Sequence, residues 1–243
     1  MGVAWAAFFL IACNSDVSPV AGPPPSVAST VGSAPTGPSS TPPPSSSTSS
    51  TTTPTAKARA PTGLVDVQEV EPSIRVALNK LTSDNFTGAP LPGYEANRAF
   101  LTPQGAQALA NVQRRLAPQG LGLKVYDAYR PARATRAMVE WARDQGRADL
   151  VGPYIASVSY HNSGQAVDLT LVQLSTGEEL DMGTPYETYA PAAHTANATG
   201  EAARNRAVLV EAMHAEGFVN YEGEWWHFYY FVTGAPLLDE PVR

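Results

Sequence analysis

The stretch Ser159-Tyr160-His161-Asn162-Ser163-Gly164-Gln165-Ala166-Val167-Asp168 puts an imidazole and a carboxylate seven residues apart with a glycine between them. The glycine lets the chain turn, so that both side chains can reach one point. Imidazole and carboxylate together are two ligands of a borderline metal such as zinc. From Ala166 to Leu171 the chain reads as a strand with alternating faces. Asp168 would then be presented by a sheet and His161 by the turn that enters it.

A second segment, Glu224-Trp225-Trp226-His227, offers a third ligand in His227. Three protein ligands and one open position describe a catalytic zinc site rather than a structural one. Glu224 and His227 are three apart and would point to opposite faces of a straight strand. Both can face a metal only if the chain bends near Glu224, and Gly223 makes a bend plausible. Glu224 could then take a proton from a water acidified by the metal and hand it to a leaving amine. A third segment, Tyr126-Asp127-Ala128-Tyr129-Arg130-Pro131, sets Arg130 at a strand-to-helix junction. A fixed guanidinium there could stabilise an oxyanion. Trp225 and Trp226 read as core packing on one side and pocket wall on the other. His194 and His214 carry no such context.

Around these segments the chain alternates irregularly between helix and strand. Thr102-Pro103 is an N-cap followed by proline at the first helical position. Ala106, Leu109, Val112 and Leu116 follow at helical spacing, with Gly120 beyond the end. Leu121–Tyr126 reads as a strand, and Arg130-Pro131 breaks it. Further helices are expected over residues 131–145 and 199–216, with strands over 218–221 and 225–232. No regular βαβ repeat appears. The expected class is α+β, with a mainly antiparallel sheet and flanking helices.

The 243 residues fall into unlike parts. Residues 14–60 hold 10 Pro, 12 Ser and 8 Thr, no aromatic residue and three charges, too little apolar surface to offset ordering entropy. They read as a disordered linker. Residues 61–243 keep 18 of the 21 aromatic residues and read as the folded domain. The net charge of −6 argues against nucleic acid as a partner, because phosphate neutralisation needs a basic face. Cys13 is the only cysteine, which excludes a disulfide framework.

Residues 1–13 are apolar and close on Leu10-Ile11-Ala12-Cys13. The pattern resembles a bacterial lipoprotein signal, which implies lipidation of Cys13, export and anchoring to a membrane. Residues 14–60 would then tether the domain.

Ser159-x-His161-x-x-Gly164-x-Ala166-x-Asp168 and Glu224-x-x-His227 resemble the zinc motifs of the D-alanyl-D-alanine peptidase group. That group contains VanX-type dipeptidases, VanY-type carboxypeptidases and the hedgehog signalling domain. The VanX-type dipeptidases match more fully. Asp84-Asn85-Phe86-Thr87-Gly88, Gly93-Tyr94-Glu95-Ala96-Asn97-Arg98, Tyr129-Arg130-Pro131, Asp168-Leu169-Thr170-Leu171 and Glu224-Trp225-Trp226-His227 occur in that family's order, over about residues 64–240. The resemblance implies the hedgehog/D,D-peptidase-like zinc peptidase fold. It implies one Zn2+ per chain held by His161, Asp168 and His227, with Glu224 as general base and then acid. Arg130 would polarise the scissile carbonyl. Ser159 matches a substrate-binding position, and Glu187 stands where the family has an aspartate that meets the substrate ammonium. The implied reaction is hydrolysis of D-alanyl-D-alanine in wall-peptide turnover or glycopeptide resistance. Two alternatives stay open: a D,D-carboxypeptidase or endopeptidase acting on wall peptides, and a zinc-containing binding domain without activity. Oligomeric state is left open.

Overall fold

The computed structural model describes residues 59–243. The expected signal with Cys13 and all but the last two residues of the expected linker lie outside the described residues. Helices and strands follow in the order β1 (Val65–Asp66), α1 (Val67–Val70), β2 (Arg75–Val76), β3 (Phe100–Leu101), α2 (Pro103–Leu116), β4 (Leu121–Asp127), α3 (Ala132–Asp144), β5 (Ala166–Gln173), α4 (Gly200–Ala215), β6 (Val219–Asn220) and β7 (His227–Tyr229), with short 3-10 turns between. Five strands form one sheet in the order β2-β4-β5-β7-β6. The β2–β4 pair is parallel and the other three pairs are antiparallel. The class is α+β, as the irregular alternation of elements predicts.

Local signals place the long elements. Thr102 accepts from the Gly105 amide and caps α2, with Pro103 in its first turn. Gly120 ends the following turn in the left-handed region. Pro131 sits at the N-cap of α3, and Gly146 closes its far end at φ 68°. The apolar face of α2, Ala106, Leu109, Val112 and Leu116, is fully buried.

β5 is the central strand. It is buried over seven of its eight residues, so both of its alternating faces are covered. Val167, Leu169 and Leu171 lie on one face and Asp168 and Thr170 on the other. On the second face Tyr186, from the chain after β5, reaches Asp168, while Leu180 extends the ladder in the plane of the sheet by donating to the Leu171 carbonyl. The expected strand over 225–232 shrinks to three residues. Trp225 and Trp226 instead belong to a turn in which the His227 amide donates to the Glu224 carbonyl at 3.3 Å. The aromatic run has high β propensity, but closing this turn and burying both indoles wins.

Candidate metal centre

Sheet register builds the site. Asp168 pairs with His227 across β5 and β7, and with Asp127 across β5 and β4. Residues directly opposite in a ladder share a face, so three polar side chains stand in one row across the middle strands. An irregularity between Val125 and Asp127 sets this row. Without it Tyr126, not Asp127, would oppose Asp168.

His161 arrives from the 3-10 turn Tyr160–Ser163. Ser159 caps that turn: its Oγ accepts from the His161 amide at 3.2 Å, and its own amide donates to Asn162 Oδ1 at 3.0 Å. Gly164 ends the turn in the left-handed region at φ 66°, and a Cβ there would lie 2.7 Å from Leu64 Cδ2. The backbone therefore favours glycine, and a Cβ would press on the end of the Leu64 side chain. Asn162 Nδ2 donates to the Arg130 carbonyl at 2.9 Å, and the Arg130 amide donates to the His161 carbonyl at 3.0 Å. The turn carrying His161 and the junction carrying Arg130 are thus locked to each other.

The metal-type donors converge. His161 Nε2 lies 3.2 Å from His227 Nδ1 and 3.3 Å from Asp168 Oδ1, and His227 Nδ1 lies 2.7 Å from Asp168 Oδ1. All three residues are buried. His161 Nδ1 is 2.5 Å from the Ala128 carbonyl oxygen. A carbonyl only accepts, so Nδ1 carries the proton and Nε2 presents its lone pair to the cluster. His161 Nε2 and Asp168 Oδ1 are then two acceptors aimed at one point, an arrangement suited to a cation. Tetrahedral zinc bonds N and O ligands at about 2.0–2.1 Å, which spaces neighbouring ligands about 3.3 Å apart. The donor set fits zinc in chemistry, and two of its three spacings match; the His227–Asp168 pair is closer, at 2.7 Å.

Glu224 and Arg130 flank this cluster. Glu224 Oε2 is 3.9 Å from His227 Nδ1. Burial, followed by the Asp168 charge, pushes the Glu224 carboxyl well above the usual carboxylate range. Burial would also lift Asp168, yet the two imidazoles hold it well below that range. Burial lowers His227. Arg130 donates to Asp127 Oδ2 from Nε at 2.9 Å and from Nη2 at 2.7 Å, and Nη2 is 3.7 Å from Asp168 Oδ2. Burial opposes its charge, but Asp127 holds it firmly protonated. Tyr94 in turn donates to Asp127 Oδ1 at 2.6 Å.

These groups border a cleft of about 200 Å³, small against the ~300–1,000 Å³ of drug-sized pockets. Ser159, Tyr154, Tyr189, Trp226 and Tyr229 add to its walls. Trp226 faces the cleft, and Trp225 is packed in the core with Nε1 donating to Thr184 at 2.9 Å. Glu187 does not border the cleft. It is buried in an ion pair with Lys80 and accepts from the Phe86 amide at 2.9 Å. Its backbone is left-handed at φ 61°, the one non-glycine case among the described residues. His194 meets Tyr154 at 3.2 Å, and His214 accepts from the Asn220 amide at 3.4 Å, both away from the donor cluster.

Reading of the sequence missed Asp127, Asn162, Lys80 and Tyr186. Asn162 left a signal, because Ser159-x-x-Asn162 is a capping-box pattern. Asp127 left none, since its place depends on the strand irregularity.

Two imidazoles and a carboxylate around one point, with a second acid and a fixed guanidinium beside them, define a metallopeptidase-type centre. Comparison with known proteins narrows that class. Residues 60–240 match the M15 peptidase family described as D-ala-D-ala dipeptidase, and the chain belongs to this family. It is 36% identical to a D-alanyl-D-alanine dipeptidase of Enterococcus faecalis, over 74% of this chain and 93% of that protein. It is 35% identical to the one of Enterococcus faecium, with the same coverage. It is 36% identical to the one of Streptomyces coelicolor, over 67% of this chain and 88% of that protein.

Proposed function

We propose that the chain hydrolyses D-alanyl-D-alanine to two D-alanines, with zinc held by His161, Asp168 and His227. The observation that carries this reading is the meeting of the three donors with Glu224 and Arg130 at one small cleft. Family membership and the dipeptidase relatives support the substrate. Zinc bound there supplies Lewis-acid polarisation of a carbonyl and lowers the pKa of water to about 7.

The chain's own groups do the rest. Glu224, buried beside the donors, takes a proton from the attacking water and returns it to the departing amine. Asp127 occupies one edge of the Arg130 guanidinium, and the group borders the cleft with its charge fixed. That charge meets the developing oxyanion without moving, a contribution on the order of 3–4 kcal/mol in a dry site. Ser159 borders the same cleft and is assigned to substrate contact. Glutamate at 224 replaced by alanine should leave zinc bound while removing most turnover. Full activity of Glu224→Ala would refute the mechanism.

One observation favours a second reading, a D,D-carboxypeptidase. Asp168 and Glu224 are the only carboxylates that border the cleft among the described residues, and Glu187 is already paired with Lys80. A free substrate ammonium would have to take Glu187 from Lys80. Comparing D-Ala-D-Ala with its N-acetyl form separates the two: refusal of the acetylated substrate supports the dipeptidase, and comparable rates support the alternative.

The lipoprotein-like Leu10-Ile11-Ala12-Cys13 and the Pro/Ser/Thr-rich residues after it support an exported, membrane-tethered enzyme. Fatty-acid labelling that is lost in Cys13→Ser tests this placement.

A further inference from the structure

We propose that the Tyr186 hydroxyl is a positioning group for the metal centre, holding Asp168 so that one carboxylate oxygen alone faces the histidines. The hydroxyl lies 2.8 Å from Asp168 Oδ2, whereas Oδ1 faces His227 at 2.7 Å and His161 at 3.3 Å. An ionised carboxylate only accepts, so Tyr186 donates. Among the described residues no other side chain is within hydrogen-bond distance of Oδ2, since Arg130 Nη2 stops at 3.7 Å. A carboxylate can bind a cation through one oxygen or two. Occupying Oδ2 with a donor chooses the first.

The ring is held rigidly enough to act this way. It stacks on Tyr126 with centroids 4.5 Å apart and meets Trp226 edge to face at 5.4 Å. Lys80 Nζ lies 3.4 Å from the hydroxyl oxygen, so the oxygen accepts from the ammonium while its proton points to Asp168. The left-handed backbone at Glu187 lets adjacent side chains do both jobs, Tyr186 reaching Asp168 and Glu187 reaching Lys80. Tyr186 also lines a second cavity of about 700 Å³ with Tyr126 and Glu187, and so stands between that space and the metal ligand.

The inference rests on the reading of His161, Asp168 and His227 as zinc ligands, and the test separates the two. Zinc affinity of the full chain is measured by competition with a chelating dye, for the wild type, Tyr186→Phe and Tyr126→Phe. Tyr126→Phe removes a hydroxyl from the same stack, one that donates to Glu179 rather than Asp168. The expected result is a loss of zinc affinity of about 10- to 100-fold in Tyr186→Phe alone, with metal-free melting like that of Tyr126→Phe. The absorption bands of the cobalt-loaded Tyr186→Phe protein should also shift, reporting altered coordination. Tyr186→Met is a second hydroxyl-free variant for the same comparison if Tyr186→Phe does not fold. Wild-type affinity in the Tyr186 variant, or equal losses in Tyr186→Phe and Tyr126→Phe, overturns the positioning role. Failure of the wild type to bind zinc at all overturns the ligand assignment instead.

Discussion

Lys80 and Glu187 show how much a single residue can decide at this site. Lys80 is fully buried, and its ammonium sits on the carboxylate that the family resemblance assigns to the substrate's amino end. Lys80→Met would leave a buried carboxylate with the Phe86 amide at 2.9 Å and the Tyr189 hydroxyl at 3.5 Å as its donors, at a cost of about 3–5 kcal/mol. For a domain of this size that lowers the melting temperature by on the order of 10 °C. If Glu187 receives substrate ammonium, D-Ala-D-Ala should raise the melting temperature of Lys80→Met more than that of the wild type. Equal shifts would remove Glu187 from the substrate site. Glu224 carries a kinetic prediction at the same scale. Glu224→Gln keeps the shape and deletes the proton carrier, so kcat should fall by about 10²–10⁴-fold with zinc content unchanged. The five residues His161, Asp168, His227, Glu224 and Arg130 could be picked out because each lies beside a local turn signal, Gly164, Gly223 or Pro131. The Lys80–Glu187 pair could not, because it joins positions 107 apart and neither neighbourhood hints at the other.

Elements carry the geometry that residues alone do not specify. The row Asp127, Asp168, His227 exists because three strands pair in one register and β4 is irregular at Tyr126. Helix α2, helix α3 and strand β4 were legible from caps, prolines and apolar spacing. The run after Glu224 forms a shorter strand than its composition predicts, because propensity does not register a turn that buries two indoles. The metal-ligand turn is the most testable element. Gly164→Ala would force a left-handed non-glycine residue and a Cβ 2.7 Å from Leu64 Cδ2. The backbone penalty alone is about 1–2 kcal/mol. Displacement of His161 should also weaken zinc binding, which calorimetry with zinc can follow. Unchanged stability and affinity in Gly164→Ala would show that the turn is not constrained as described.

At the scale of the whole molecule, stability couples to pH and to metal. Burial would raise the Glu179 and Asp239 carboxyls, yet hydrogen bonds from Lys124 and Tyr126, and from Arg133, hold them below their ordinary values of 4.5 and 3.8. A carboxyl whose folded value is depressed binds its proton more readily when unfolded. Its contribution is present above the ordinary value and is lost as pH falls through the folded one. Melting temperature should therefore hold through mildly acidic pH and drop below about pH 4. A melting curve that stayed flat to pH 2 would contradict these pairings. Zinc held by the folded donor set and not by the dispersed chain should raise the melting temperature in proportion to the logarithm of its free concentration.

If one metal ion gathered by His161, Asp168 and His227 makes this cleft hydrolytic, activity must follow the metal. Release of D-alanine from D-Ala-D-Ala by the full chain, followed through chelation and the return of one equivalent of zinc, tests it most directly. Chelation should abolish release, and one equivalent should restore it. Undiminished release from the metal-stripped protein, or none from the zinc-loaded protein, would contradict it.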